Sequence, residues 1–315
     1  MRILVATGPS GGHISPALGF LGALRDKNKD IETLLILPKI NIVSRIQPFE
    51  HRVNYISFSP IKLKLDLKFF IAALRFFKSL FESIFILSEF RPDIVIGFGS
   101  SASIPPVLLA WLFRIKNLIH EQNVVPGRAN IFLARFTDKI AISFSKTKDY
   151  FKAYQRRIVF TGNPIRKELI QIDRVEALEF FGFRDDKFTI LVMGGSQGSR
   201  SINMGFLKTI STIPDRGKLQ IIHLTGIKDY DLLRDKYKDS SINLKLFSFL
   251  KNMECAYSAC GLVISRAGAT SIAEIIHFRI PAIIIPYPYA YKHQMSNAKV
   301  LESKGCAMVI QDKDL

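Results

Sequence analysis

Short apolar runs recur along the chain with helical stretches between them, the alternation that produces a parallel sheet covered by helices on both faces. The pattern predicts strands at 2–7, 31–37, 55–58, 94–96, 117–119, 139–142 and 158–160. After Thr161-Gly162-Asn163-Pro164 it begins again, with strands expected at 188–193, 219–224, 243–246, 262–265, 282–285 and 307–310. The fold class is therefore α/β, with two doubly wound, Rossmann-like domains expected at 1–162 and 163–315.

Each unit opens with a strand that runs into a glycine-rich turn and then a helix: Gly8-Pro9-Ser10-Gly11-Gly12-His13 in the first and Gly194-Gly195-Ser196-Gln197-Gly198-Ser199 in the second. Glycine lets the backbone approach a ligand, and the N–H groups and dipole of the following helix favour a phosphate. Close packing of helix on strand also calls for glycine, so the turns alone leave both readings open. Ligands of open α/β sheets sit beyond the carboxyl ends of the strands, and two such units facing each other enclose a cleft.

Other nucleotide folds fit less well. A dinucleotide site wants an acidic residue at the end of the second strand, where this chain has Ile36-Leu37-Pro38-Lys39, and there is no GxxxxGK[ST] phosphate loop. Asp229-Tyr230-Asp231 and Asp312-Lys313-Asp314 spell the DxD of metal-dependent sugar transferases. The first opens a helix, where acids serve the macrodipole, and the second lies at the end of the chain, so no metal site and no cofactor is expected.

With 48% hydrophobic and 23% charged residues, the chain can bury a sizeable core, which excludes a disordered, collagen-like or disulfide-stapled protein. A formal charge of +17 favours anionic partners. The basic residues are spread along the chain without a recognised nucleic-acid motif, which points away from nucleic acid. Cys255, Cys260 and Cys306 suit neither a zinc site nor a disulfide framework, and a reducing cytoplasm is expected. The N-terminal apolar run is too short for a signal peptide. Residues 94–113 carry no charge and could span a bilayer by length, but Gly97, Gly99, Ser100, Ser101, Ser103, Pro105 and Pro106 break them into a strand, a loop and a helix.

The motifs become specific when taken in order. Ser10-Gly11-Gly12-His13-Ile14-Ser15-Pro16-Ala17, His120-Glu121-Gln122-Asn123-Val124-Val125-Pro126-Gly127-Arg128-Ala129-Asn130, Gly162-Asn163-Pro164-Ile165-Arg166 and Gly194-Gly195-Ser196-Gln197-Gly198 resemble successive signatures of the MurG family. So do Arg266-Ala267-Gly268-Ala269 through Glu274 and His293-Gln294 through Asn297-Ala298. The resemblance implies a peripheral-membrane, inverting transferase of the GT-B fold that needs no metal. It would move N-acetylglucosamine from UDP-N-acetylglucosamine to the 4-hydroxyl of undecaprenyl-diphosphate-linked N-acetylmuramoyl pentapeptide, making lipid II for peptidoglycan. The N-terminal domain would take the lipid-linked acceptor and the C-terminal domain the UDP-sugar.

Carried over residue by residue, the resemblance implies a donor site of Ser10, Gly11, Gly12, Asn123, Arg166, Ser196, Leu250, Gly268, Ala269, Thr270, Ser271, Ile272, Ala273, Glu274 and Gln294. Glu274 can accept both ribose hydroxyls, Arg166 can offset diphosphate charge, Ser196 and its loop amides can bind phosphate oxygen, and Asn123 and Gln294 can hydrogen-bond the sugar. Taken singly, Glu274 reads as a solvated helix acid, Arg166 as an interdomain tether and Asn297 as a helix cap; within the ordered set the ligand roles prevail. His13 is the candidate general base, favoured over a residue that merely hydrogen-bonds its loop, because a helix N-terminus opposes protonation of the imidazole. His120, at the end of a buried strand, reads as a structural group.

Residues 61–90 mix aromatic and basic side chains. They read either as ordinary amphipathic core helices or, as the resemblance favours, as a surface that inserts Phe69, Phe70, Phe77 and Phe81 into an anionic membrane while Lys68, Arg75 and Lys78 meet head groups. The location implied is the cytoplasmic face of the bacterial inner membrane. Pro9 stands where the family usually has Gly, and Gly99-Ser100-Ser101-Ala102-Ser103 replaces its more usual Gly-Gly-Tyr-x-Ser, both on the acceptor side. The chain is also expected to end one or two helices before family members normally do. The alternatives are a related transferase for another lipid acceptor such as diacylglycerol, or a non-catalytic nucleotide-sugar binder.

Overall fold

The computed structural model describes residues 1–38, 52–56, 67–238, 240, 242–289 and 293–315; within it the side chains of 52–56 and 67–73 are left undescribed. The chain divides into two compact units, Met1–Arg166 and Lys167–Leu315. The division falls just past the expected 162/163 boundary. Residues up to Arg166 stay with the first unit because its first helix carries Gly19 where a side chain would sit 2.7 Å from the carbonyl carbon and oxygen of Ile165.

The first unit runs β1 (Arg2–Ala6), α1 (Gly11–Lys27), β2 (Glu32–Pro38), β3 (Arg52–Ile56), α2 (Leu67–Phe90), β4 (Ile94–Gly97), α3 (Ile104–Leu112), β5 (Lys116–Glu121), α4 (Arg128–Leu133), β6 (Lys139–Ile142) and β7 (Ile158–Phe160). Its strands form one parallel sheet in the order β3-β2-β1-β4-β5-β6-β7. The second unit runs α5 (Arg174–Phe181), β8 (Phe188–Met193), α6 (Arg200–Ile210), β9 (Leu219–Leu224), α7 (Tyr230–Tyr237), β10 (Asn243–Phe247), α8 (Met253–Ala259), β11 (Leu262–Ser265), α9 (Ala269–Phe278), β12 (Ala282–Ile284), α10 (His293–Glu302) and β13 (Ala307–Val309). Its parallel sheet has the order β10-β9-β8-β11-β12-β13. Both are doubly wound sheets whose order reverses beside the first strand.

Burial on both faces explains why the strands read as continuous apolar runs. Along β1, Leu4 and Ala6 pack with Ile86, Leu87 and Phe90 of α2 and with Val107 and Ala110 of α3. Their neighbours Ile3 and Val5 pack on the other face with Ile14, Ala17 and Leu21 of α1. In the second unit Ile190 and Val192 of β8 join Ile202, Phe206 and Ile210 of α6.

Two strands depart from their predicted limits by more than one residue, each for a physical reason. The strand expected at 55–58 begins at Arg52, because β3, which among the described residues pairs only with β2 at the sheet edge, carries the polar residues Arg52 and Asn54; Ser57 and Phe58 lie outside the described residues. β5 continues two residues past the expected 119, to His120 and Glu121, which are buried yet hydrogen-bonded. Residues 94–113 form β4, a turn through Gly99 (φ 79°) and Ser100 (φ 68°), and α3, and among the described residues no helix is long and apolar enough to cross a membrane.

Candidate active site

In each sheet the two central strands send their following helices to opposite faces, and the loops after them meet at the carboxyl edge. In the first unit these are the loops after β1 and β4. A side chain at Gly8 would stand 2.4 Å from Ser100 Cβ and 3.2 Å from His13 Nδ1, and one at Gly99 would stand 3.2 Å from His13 Cδ2. The imidazole of His13 is thus wedged between two glycines. Ser10 is the N-cap of α1, and its carbonyl accepts from the backbone N–H groups of His13 (2.9 Å) and Ile14 (3.0 Å). Its Oγ lies 2.7 Å from His13 Nδ1. When Nδ1 carries the proton and donates to Ser10, Nε2 is the basic nitrogen.

Beside this wedge, β5 ends in a buried polar knot. The Glu121 carboxylate, 1% exposed, accepts from the backbone N–H of Asn123 (2.9 Å) and Gly127 (3.0 Å) and from the side-chain amides of Asn123 (3.3 Å) and Asn130 (2.8 Å). Burial raises its pKa, while those four donors hold it down. His120 Nε2 lies 3.0 Å from the Gly162 carbonyl, its Nδ1 3.2 Å from the Gln122 amide, and its ring 5.1 Å from that of Phe98. Burial pushes its pKa down to about 4 against the pull of the Gly162 carbonyl. His120 is a neutral structural group, and the knot sets the path of residues 121–130.

In the second unit the loop after β8 is drawn tight. Gly198 (φ 74°) lies where a side chain would stand 2.2 Å from the Thr225 carbonyl oxygen, so only glycine lets the turn rest on the end of β9. Ser196 stands exposed on the turn, and Ser199 caps α6. The loop after β11 supplies Arg266, whose Nη2 donates to Ser199 Oγ and Ser201 Oγ (both 2.7 Å) and whose Nη1 donates to the Ile285 carbonyl (3.1 Å). This buried guanidinium also pairs with Asp312.

Gly268 then caps α9. Ala269 and Ile272 are buried, so Ile272 can offer a ligand only its backbone, while Thr270, Ser271 and Ala273 are half-buried. Glu274 is only 9% exposed and accepts from the Tyr257 hydroxyl at 2.8 Å; it is not a solvated helix acid. Gln294 Oε1 accepts from the backbone N–H of Ala267 (3.2 Å) and Tyr287 (2.9 Å). Asn297, fully buried, donates to the Ala267 carbonyl (3.1 Å), so it ties the loop in place rather than capping a helix. Leu250 is buried beyond β10.

The expected residues fall into two sets. Ser10, Gly11, Gly12, His13, Asn123 and Arg166 belong to the first unit, and Ser196, Leu250, Gly268 to Glu274 and Gln294 to the second. In the second set the β8 and β11 loops are joined through Arg266, and Gln294 is joined to the β11 loop through Ala267. The sequence assigned no role to Tyr257, Arg266, Ser199 or Glu121. A buried tyrosine on a helix looks like core, and only the neighbouring acid signals more. Three of the four DxD carboxylates have structural partners: Asp229 takes Arg200 (2.8 Å) and Asn203 (2.9 Å), Asp231 takes Arg234 (3.0 Å), and Asp312 takes Ser201 (2.7 Å). Among the described residues no group of three or more His, Cys, Asp or Glu is placed to hold a metal ion.

The surface of α2 departs from an ordinary amphipathic helix. Ile86, Leu87 and Phe90 face the core, yet Leu74, Phe77, Phe81, Ile84 and Phe85 form a second apolar stripe at helical spacing, with Phe81 72% exposed. Arg75 and Lys78 flank it, also exposed; the side chains of Lys68, Phe69 and Phe70 and all of 61–66 lie outside the described residues. On α3, which packs beside α2, Trp111 and Leu112 are exposed as well.

Two doubly wound parallel sheets, each with a glycine turn after its first strand and with polar groups gathered at its switch point, are the GT-B fold. Residues 3–142 match the glycosyltransferase family 28 N-terminal domain and residues 189–315 its C-terminal domain. The chain is 40% identical over 324 aligned positions to the UDP-N-acetylglucosamine--N-acetylmuramyl-(pentapeptide) pyrophosphoryl-undecaprenol N-acetylglucosamine transferase of Halothermothrix orenii, with 100% of this chain and 87% of that protein covered. Among solved structures it resembles MurG of Acinetobacter baumannii, with TM-score 0.74, 23% identity, and 100% of this chain and 86% of that one covered. It is also like a UDP-GlcNAc 2-epimerase from Neisseria meningitidis bound to UDP-GlcNAc, with TM-score 0.67, 13% identity, and 100% and 89% covered. The chain belongs to glycosyltransferase family 28 and, within it, to the MurG family.

The buried knot makes a pH prediction. The unfolded chain protonates His120 near 6.5, whereas the folded chain keeps it neutral down to about 4, so between those values the unfolded state binds the extra proton and stability falls as pH falls. The slope is up to ~1.4 kcal/mol per pH unit. Glu121, with its raised pKa, acts in the opposite sense, so the comparison must be between variants. Urea unfolding of wild type and His120→Gln from pH 7 to 4 should show a shallower loss of stability in the variant; equal slopes would contradict a buried neutral His120.

Proposed function

We propose that this enzyme transfers N-acetylglucosamine from UDP-N-acetylglucosamine to the 4-hydroxyl of undecaprenyl-diphosphate-linked N-acetylmuramoyl pentapeptide, with inversion and without a metal. The observation that carries the reading is the pairing of a glycine turn after β8 with a buried carboxylate, Glu274, on the helix after β11, in a chain 40% identical over its whole length to such a transferase. The turn offers backbone N–H groups to the diphosphate and the carboxylate accepts hydroxyls of the ribose.

The chemistry divides between the two sets of residues. His13 Nε2 takes the proton from the acceptor 4-hydroxyl as its oxygen attacks the anomeric carbon. The carbon–oxygen bond to the β-phosphate breaks, its electron pair leaves with UDP, and inversion gives a β-1,4 link. Ser10 holds Nδ1 at 2.7 Å and so fixes the orientation of the ring; with the proton on Nδ1, Nε2 is the base. Arg166, with the loop amides and Ser196, offsets charge on the departing diphosphate. Arg266 is committed to Ser199, Ser201 and Asp312 and acts instead as the bolt of the donor loop. Asn123 and Gln294 hydrogen-bond sugar groups; Gly11 and Gly12 give close approach, and Leu250 with residues 268–273 lines the nucleotide.

The acceptor is lipid-linked, so the enzyme works at a membrane surface, and we place it on the cytoplasmic face of the bacterial inner membrane. The stripe on α2, exposed among the described residues, supports this: Phe77 and Phe81 insert shallowly while Arg75 and Lys78 meet anionic head groups. Phe69 and Phe70 extend the same expectation toward the start of the helix.

Two measurements test these assignments. Glu274→Ala should weaken UDP binding more than tenfold, the loss of a charge-assisted contact of ~1.5 to 3 kcal/mol, and unchanged affinity in calorimetry would refute the ribose role. Co-sedimentation with phosphatidylglycerol vesicles should rise with the anionic fraction and fall with salt. Arg75→Glu with Lys78→Glu should release the protein from the vesicles and leave UDP affinity intact. Equal sedimentation of wild type and double variant would remove the membrane role from α2.

A further inference from the structure

The hydroxyl of Tyr257 reaches Glu274 from the interior of the unit. Tyr257 lies on α8, 1% exposed, with its ring stacked on Phe278 at 5.0 Å. Its hydroxyl donates to Glu274 Oε2 at 2.8 Å and stands 3.7 Å from the sulfur of Met193. Met193 is the last residue of β8, directly before the Gly194 turn. One buried hydroxyl therefore sits between the strand that carries the diphosphate turn and the helix that carries the ribose carboxylate.

A glutamate side chain has three rotatable bonds, and fixing one of its oxygens removes most of that freedom before a ligand arrives. A carboxylate keeps further acceptor sites when one oxygen is already engaged. A tyrosine whose ring is stacked in the core is a rigid support for such a contact. We propose that Tyr257 is a positioning residue of the donor site, which holds the Glu274 carboxylate at the height that matches ribose hydroxyls while the diphosphate rests on the turn after β8. The proposal rests on the reading of Glu274 as the ribose acceptor. It adds a specificity element: recognition of the ribose hydroxyls depends on a group that does not touch the nucleotide.

Tyr257→Phe keeps the ring and its stack on Phe278 and removes only the hydroxyl. Calorimetry with UDP and with 2′,3′-dideoxy-UDP separates positioning from a general structural role, because the second ligand lacks the hydroxyls that Glu274 would accept. The variant should bind UDP ~3- to 10-fold more weakly, the range for one lost hydrogen bond, and should bind the dideoxy nucleotide as wild type does. Adding Tyr257→Phe to Glu274→Ala should change neither affinity further. Wild-type UDP affinity in Tyr257→Phe, with Glu274→Ala weakened, would overturn the positioning role and leave the ribose reading standing. Equal losses on both ligands would overturn it by making the hydroxyl a packing group. Undiminished UDP binding by Glu274→Ala would remove the ribose reading itself, and the inference with it.

Discussion

In a parallel sheet every strand ends on the same edge, and where the strand order reverses, two neighbouring strands send their helices to opposite faces. The loops that leave them meet at that edge, and the crevice between them is bounded by backbone N–H groups that no strand uses. Both units obey this constraint, β1 with β4 in the first and β8 with β11 in the second. The functional side chains of each unit follow from it. His13 is wedged between Gly8 and Gly99 because the loops after β1 and β4 converge there, and Arg266 reaches Ser199 because the loops after β11 and β8 do.

Holding such loops in one shape takes buried polar contacts, and the two units solve the problem with opposite charges. In the first, the Glu121 carboxylate gathers four donors from residues 123–130. In the second, the Arg266 guanidinium gathers hydroxyl and carbonyl oxygens from the ends of β12 and α6 and the carboxylate of Asp312. Removing either ion would strand its buried partners, which is costly in a low-dielectric interior. The glycines answer a different demand, since Gly198 and Gly19 lie where a side chain would overlap a carbonyl. The motif residues thus divide into those that shape the loops and those left to meet a ligand.

That division marks what the sequence could and could not reveal. The thirteen strands among the described residues were legible, because strands buried on both faces are apolar at successive positions. The limits failed where this signal is absent: β3, an edge strand with Arg52 and Asn54, and β5, whose last two residues are polar but satisfied. Glycine turns and the candidate residues beside them were visible as motifs. Tyr257 was not, since a buried aromatic at helical spacing looks like core until its hydroxyl is traced to Glu274. The stripe of Leu74, Phe81 and Phe85 was hard to read for the converse reason. On α2 both faces are apolar, and periodicity cannot tell which of them the fold covers.

In the proposed mechanism the His13 imidazole, seated by Ser10 and two glycines, draws the proton from a lipid-linked acceptor as N-acetylglucosamine leaves UDP. The most direct test is transfer of labelled N-acetylglucosamine from UDP-N-acetylglucosamine to a soluble analogue of undecaprenyl-diphosphate N-acetylmuramoyl pentapeptide by wild type and His13→Ala. Wild type should give a β-1,4-linked product, and the variant a kcat lowered ~10²- to 10⁴-fold, the usual contribution of a general base. A wild type that leaves the acceptor unmodified, or a His13→Ala variant as fast as wild type, would contradict that mechanism.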